Sequence, residues 1–317
     1  MYNVLVFGDP GIDDSFAIIY ALLNPKINLV GIVSGYGNVT QEQATLNVAY
    51  LLQLAGREDI PIIGGAKGPL SGELTPFYPE IHGAEGLGPI RPPENLKREL
   101  LNFDEIFKII GRYQNNLTIV DVGRSTSLAI TFNLGGQEQI KKVKDFYLMG
   151  GAFLVPGNVT ATAEANFHGD PIATNLVLEK GHNITITPLN VTNYAIIKPD
   201  IIKYISFQKT NKFSVLFKPI FDYYLQFYKK IDPNIEGSPL HDVFTLFALT
   251  NPGSIAAVNK EVKVSIFNET RGESVADFRK RQPEKPPKPG TLDRIVLQFK
   301  YQDFVQDFTR VMTSKGV

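Results

Sequence analysis

The stretch "VFGDPGIDDSFAI", residues 6–18, passes from an apolar segment through a Pro-Gly turn into a second apolar-periodic segment. It reads as strand, turn and helix, the opening unit of an α/β fold. It also sets three carboxylates, Asp9, Asp13 and Asp14, within six residues. Like charges at close range repel and raise each other's pKa. One aspartate after a strand is a common helix N-cap. Three around a single Pro-Gly turn call for a cation or a hydroxyl-rich ligand beside them.

The pattern repeats along the chain. Residues 2–7 (YNVLVF) read as a buried strand and 13–24 as an amphipathic helix; 27–35 is a strand. Residues 40–56 form a helix opened by a capping-box pair, Thr40 and Gln43, and closed at Gly56. Strands follow at 61–65, 117–123, 145–151 and 183–189, with helices at 103–113, at 125–134 and from Pro171. Continuous apolar strands separated by helices predict an open, mostly parallel sheet covered on both faces. Residues 197–250 are predominantly helical, strands are expected near 261–267 and 294–299, and a last helix covers 301–313. The segment KRQPEKPPKPG, residues 280–290, reads as flexible. Two long loops, 64–98 and 152–168, break the rhythm, and long loops in compact domains are commonly functional. With no internal repeat and no linker, residues 1–317 are expected to form a single α/β domain with a helical C-terminal part.

Composition narrows the partners. Lys+Arg and Asp+Glu both number 32. A neutral balance lacks the basic footprint of a nucleic-acid binder and gives no polybasic reason to sit on a membrane. The chain has no cysteine, so disulfides, thiolate catalysis and Cys-bound metals are excluded. It opens directly into a strand pattern, and no apolar run approaches the ~20 residues of a membrane span. A soluble cytoplasmic protein with no nucleic-acid and no membrane partner is the expectation.

Ligands of an open parallel sheet bind at the carboxyl ends of its strands. Those ends carry Asp9, Asp13 and Asp14, then Asn38, then Ser125 and Thr126, then Asn158, Glu164 and Asn166. This edge holds carboxylates, amides and hydroxyls, with Arg124 the one cation among them. A phosphate site would be rich in Lys, Arg or glycine nests. Hard oxygen donors instead suit Ca²⁺ or Mg²⁺, and mixed carboxylate and carbonyl donors favour Ca²⁺. The segment SPLHDVFTLFAL, residues 238–249, adds His241 and Asp242 side by side at a helix start.

These segments together resemble the nucleoside hydrolases, the inosine–uridine-preferring nucleoside N-ribohydrolase family. DPGIDD (9–14) is similar to that family's N-terminal aspartate signature. GYGNV (35–39), HGAEGLG (82–88), MGGA (149–152), GNVTATAEANFHGDP (157–171), LHD (240–242) and TRGES (270–274) resemble further blocks in the same order. The resemblance implies one Ca²⁺ held by Asp9, Asp14, Asp242 and the Thr126 carbonyl. It implies Asp9 as general base toward the attacking water. It places Asp13, Asn38, Asn158, Glu164, Asn166 and Asp242 on the ribose hydroxyls. His241 becomes a candidate general acid toward the leaving base, and His82 lines the base side. A small nucleoside substrate and a homodimer or homotetramer complete the implication.

Several positions depart from the family pattern. Phe7 stands where another aspartate is usual, Ala165 where an aromatic is frequent, and Asn190 where an aspartate is frequent. Arg124 and Ser125 replace Pro-Leu, and Ser127 replaces an asparagine. No first-sphere ligand is lost, but the changes leave open a relative that acts on an unusual riboside or only binds Ca²⁺ and a ribosyl ligand. Tyr224 and Tyr228 are expected to pack within an amphipathic helix rather than to meet the base.

Overall fold

The computed structural model describes residues 1–317 except 74–75, 94–95, 97–98, 281–291 and 316–317. The expected flexible segment at 280–290 therefore lies almost wholly outside the described residues.

The first half of the chain alternates strand and helix. β1 (Tyr2–Gly8) leads into α1 (Ile12–Leu23), and β2 (Ile27–Ser34) into α2 (Gln41–Ala55). β3 (Ile62–Gly64), the short α3 (Pro79–His82), β4 (Leu100–Leu101) and α4 (Glu105–Arg112) follow. Next come β5 (Leu117–Asp121), α5 (Thr126–Ile140), β6 (Val143–Met149), α6 (Ala165–Gly169), α7 (Pro171–Lys180) and β7 (Ile184–Thr187). The helical part comprises α8 (Leu189–Thr192), β8 (Ile196–Ile197), α9 (Pro199–Gln208), α10 (Ser214–Ile231), β9 (Ser238–Pro239) and α11 (His241–Thr250). The chain closes with β10 (Ile255–Lys260), β11 (Lys263–Val264), β12 (Ser274–Val275), β13 (Asp293–Phe299) and α12 (Tyr301–Met312).

Nine strands form the central sheet in the order β10-β13-β7-β6-β5-β1-β2-β3-β4. The pairings are parallel except that of β10 with β13. The mostly parallel α/β sheet with a helical C-terminal part thus stands as read from the sequence. One strand falls elsewhere than expected. Pairing occupies Ile255–Lys260 rather than 261–267, and past it only the two-residue β11 pairs, with β12. β10 is an antiparallel edge strand with a mixed apolar and polar sequence, so it carries no continuous apolar signal.

Local chemistry explains the elements around the sheet. The Thr40 hydroxyl accepts from Gln43 N at 3.1 Å, and Gly56 takes a left-handed φ of 67° to end α2. The capping box is only half made, because the Gln43 amide donates to Asn47 Oδ1 instead. One buried cluster packs α1, α2, α10, α11 and α12 on one face of the sheet, and a second packs α4, α5 and α7 on the other. No helix of the described residues is long and apolar enough to cross a membrane.

Candidate active site

Strand order fixes where a ligand can enter. From β1 the chain moves outward through β2, β3 and β4, then returns to lay β5 on the other flank of β1. Successive loops leave in opposite directions there, and a crevice opens at the carboxyl ends of β1 and β5. Asp9 follows β1 at that point and is 2% exposed. Its Oδ2 accepts from Asn38 N at 2.5 Å, and its own N–H donates to Asp14 Oδ1 at 3.1 Å. Glycine is required on both sides of this carboxylate. A Cβ at Gly37 would come 1.7 Å from Asp9 Oδ2, and one at Gly123 would come 2.6 Å from Oδ1.

The carboxylates converge as the opening stretch implied. Asp13, Asp14 and Asp242 are all buried and offer oxygens that lie within 4.8 Å of one another. Asp13 and Asp14 come from the first turn of α1, and Asp242 from the first turn of α11. Burial, then repulsion from Asp14, pushes the Asp13 carboxyl up to about 7. Burial pushes Asp14 up to about 6. Asp242 is raised well above the carboxylate range by burial and then by Asp13, Asp14 and Asp9. Asp9 is raised likewise by burial and by Asp14. Asp9 Oδ1 and Asp13 Oδ1 are buried with no hydrogen-bond partner among the described residues. A buried group of mutually repelling carboxylates with orphan oxygens is a donor set a hard divalent cation satisfies. Asp14 and Asp242 belong to this group and also to the expected ligand set; Asp13, expected on the sugar, joins it, whereas Asp9 stands beside it.

Amides line the adjoining wall, each pinned by one end. Asn38 Nδ2 donates to Asp14 Oδ2 at 2.9 Å. Asn158 Oδ1 accepts from Ala165 N at 2.9 Å. Asn166 Nδ2 donates to the carbonyls of Val122 and Met149 at 2.9 and 3.1 Å. Among the described residues, Asn38 Oδ1, Asn158 Nδ2 and Asn166 Oδ1 are the ends without a hydrogen bond. Glu164 is different: it caps α6. Its Oε1 accepts from Asn166 N at 2.8 Å, and Oε2 accepts from Phe167 N at 3.1 Å and Gly151 N at 3.0 Å. Most of its acceptor capacity goes to backbone, so its first role is to shape the loop that carries Asn158.

The opposite wall is aromatic. His82 Nδ1 accepts from Ile12 N at 3.0 Å, which assigns the ring proton to Nε2. Burial, then His241, lowers its pKa to about 3, so the 3.9 Å approach of Asp13 Oδ1 is not an ion pair. His241 contacts Thr192 Oγ1 through Nδ1 at 2.8 Å and the Tyr228 hydroxyl through Nε2 at 3.0 Å. Burial lowers it to about 4, so it stands neutral in the resting site. Tyr224 and Tyr228 pack on α10 as expected, and their hydroxyls also reach the cleft. The Tyr224 hydroxyl donates to Asp13 Oδ2 at 3.1 Å and lies 3.3 Å from that of Tyr228. Their i,i+4 spacing on α10 puts both rings on one face, and that face meets the cleft.

One cleft unites these groups: Asp13, Asn38, His82, Asn158, Glu164, Asn166, Tyr224, Tyr228, His241 and Asp242 all line it. Asp9, Asp14 and Thr126 are buried and are not among its lining residues. Tyr78, Ile81, Val122, Met149 and Val159 line it too. Sequence reading missed these because an isolated apolar or aromatic side chain at a strand end, in a short helix or in a loop carries no chemical signal of its own.

The departures resolve individually. Phe7 is 1% exposed, belongs to the core cluster on the α5 face, and is in register with Asp121 of β5. Asp121 is a buried carboxyl pushed up to about 7 by burial. Arg124 lies over the Tyr36 ring at 5.1 Å. Asn190 accepts from Phe153 N at 2.9 Å and donates to its carbonyl at 2.7 Å, a pair an aspartate could not make. Ala165 lines the cleft.

Comparison with known proteins agrees with this geometry. The family model described as inosine-uridine preferring nucleoside hydrolase matches residues 4–306. A pyrimidine-specific ribonucleoside hydrolase RihA of Citrobacter koseri is 33% identical over 287 residues, 89% of this chain and 90% of the relative. Uridine nucleosidase 1 of Arabidopsis thaliana is 32% identical over 252 residues, 79% of this chain and 74% of the relative. Among solved structures, a plant nucleoside hydrolase superposes with a TM-score of 0.92 at 27% identity, covering 99% of both chains. A purine-preferring ribonucleoside hydrolase from Gardnerella vaginalis superposes with a TM-score of 0.89 at 25% identity, covering 99% of this chain and 98% of that one.

Proposed function

We infer the function from one premise: the chain belongs to the inosine-uridine preferring nucleoside hydrolase family. It is an N-glycosyl hydrolase, and ribonucleosides are its substrate class. Our finer reading is a Ca²⁺-dependent reaction in which an Asp9-activated water releases ribose and free base. The observation that carries it is the buried group of Asp13, Asp14 and Asp242 beside the orphan oxygen of Asp9.

Asp14, Asp242, Asp9 and the Thr126 carbonyl are the proposed Ca²⁺ ligands, and Asp13 adds an oxygen to the same group. When bound, Ca²⁺ lowers the pKa of a water and orients ribose hydroxyls. Asp9 would take the proton of the attacking water at Oδ1, the oxygen with no partner among the described residues. Asp13, Asp242 and the free ends of Asn38, Asn158 and Asn166 hold the ribose hydroxyls. Cleavage builds an oxocarbenium-like ribose, and these carboxylates and amide oxygens offset its positive charge electrostatically. On the far wall, the hydrogen-bonded pair of Tyr228 and His241 would pass a proton drawn from solvent to the departing base. His82 presents Nε2–H as a neutral donor on the same side. A homodimer or homotetramer remains the proposed assembly, read out by analytical ultracentrifugation.

The test is product identification. Uridine and cytidine come first because the curated relatives are named for uridine and pyrimidines, with inosine as the purine comparison. Chromatography should show free base and ribose in equal amounts. Binding of Ca²⁺ and nucleoside with no release of either product would move the protein to the non-catalytic reading.

A further inference from the structure

We infer that Asp170 is a positioning residue for the cation end of the site, acting through Thr126. The inference rests on the Ca²⁺ reading proposed above, in which the Thr126 carbonyl is a ligand.

Asp170 has zero exposure and lies outside the cleft. Its Oδ2 accepts from the Thr126 hydroxyl and from Leu70 N, both at 2.7 Å. Its Oδ1 accepts from Ala173 N at 3.1 Å, the ordinary N-cap bond of α7. An N-cap needs only that last bond. The other two reach into α5 and into the loop after β3, and so tie three separate segments to one carboxylate.

The direction of the hydrogen bonds follows from their chemistry. A carboxylate only accepts, so Thr126 gives Asp170 its single hydroxyl proton. The Tyr36 hydroxyl, 3.1 Å from Thr126 Oγ1, must then donate to that oxygen. Thr126 is thereby held from both sides, by Asp170 of the α6–α7 turn and by Tyr36 of the loop after β2. Tyr36 lies two residues before Asn38, and Asp170 four after Asn166. One buried chain of three side chains therefore sets the first residue of α5 relative to two amide-bearing loops. Groups that orient ligands from behind commonly change metal affinity about 10- to 100-fold when removed.

The test uses Ca²⁺ itself as probe, on full-length protein stripped with chelator. Thr126→Val removes only the hydroxyl and leaves the α7 cap intact; Asp170→Asn sets an amide against donors. Calorimetric Kd for Ca²⁺ and the Ca²⁺-induced rise in Tm are read for each, with circular dichroism to establish folding. Each variant is expected to bind Ca²⁺ at least about tenfold more weakly. The double variant should be weaker than the worse single by less than the sum of the two losses, because both remove the Thr126–Asp170 bond. Folded Thr126→Val with wild-type affinity overturns the inference even if Asp170→Asn fails to fold. Wild-type protein that binds no Ca²⁺ overturns the cation reading itself, and the inference with it.

Discussion

Tyr228 sets its hydroxyl 3.0 Å from Nε2 of His241, and the Tyr224 hydroxyl lies 3.3 Å further along. Tyr224 in turn donates to Asp13 Oδ2 at 3.1 Å. A continuous hydrogen-bond chain thus runs from the carboxylate group to the aromatic wall. Because burial keeps His241 neutral, it serves as a link in this chain rather than as a stored imidazolium.

The leaving group therefore decides what this wall contributes. Tyr228→Phe and His241→Ala should each lower kcat for uridine by roughly 10²–10⁴-fold, the usual range for general acid catalysis. With p-nitrophenyl riboside, whose leaving group departs without a proton, the loss should shrink to about tenfold or less. Equal losses on both substrates would show that the pair positions substrate instead of delivering a proton.

Asp9 is the proposed base, and its removal separates chemistry from folding. Asp9→Ala should cut kcat by at least about 10³-fold. It relieves a buried, repelled carboxyl, so the Tm in the absence of Ca²⁺ should hold or rise. A cleanly folded variant with near wild-type turnover would remove Asp9 from that role.

Cation binding should be linked to pH. Asp13 is raised to about 7 and Asp14 to about 6 by burial, so both carry protons at pH 5.5 when no cation is present. A cation binds the ionised forms and must displace those protons. Affinity should climb as pH rises from about 5 through 7, and Asp9 and Asp242, raised further by burial, extend the climb beyond it. Calorimetry in buffers of different ionisation heat should find proton release on binding at pH 6. Affinity independent of pH would mean that these two carboxyls do not face the ion.

Far from the cleft, Asp293 gives a stability test. Burial raises its carboxyl to about 7, Glu261 adding to the effect. The unfolded value is near 3.9, so the folded state binds the extra proton between the two. Stability from this group is full below pH ~3.9, falls as pH rises toward 7, and stays low above it. Asp293→Asn keeps an acceptor for Val262 N and should gain about 2 kcal/mol at pH 8 and nothing at pH 4. A Tm difference unchanged across that range would contradict the shift.

The sheet was readable in the sequence because β1, β2, β5, β6 and β7 are buried on both faces and so appear as unbroken apolar runs. β10 was misplaced because an edge strand such as IAAVNK is half-exposed and carries no such run. The carboxylates were legible because charge at a strand end is costly without a partner. Glu164 lines the cleft as expected, but its capping of α6 was not legible: a glutamate that caps a short helix and one that binds sugar look alike in sequence. Tyr224 and Tyr228 pack as i,i+4 aromatics usually do, and only the placement of α10 against α3 and α1 shows that their hydroxyls also reach the cleft. Asp170 drew no attention, since Asp-Pro at a helix start is explained by capping alone.

The most direct test is the Ca²⁺ dependence of turnover. Reducing-sugar release from uridine and inosine would be followed in chelator-stripped protein, then after Ca²⁺ is restored. The expected result is ribose release that vanishes on chelation and returns with Ca²⁺. Undiminished release in stripped protein, with calorimetry showing no bound ion, would contradict a cation held by Asp13, Asp14 and Asp242.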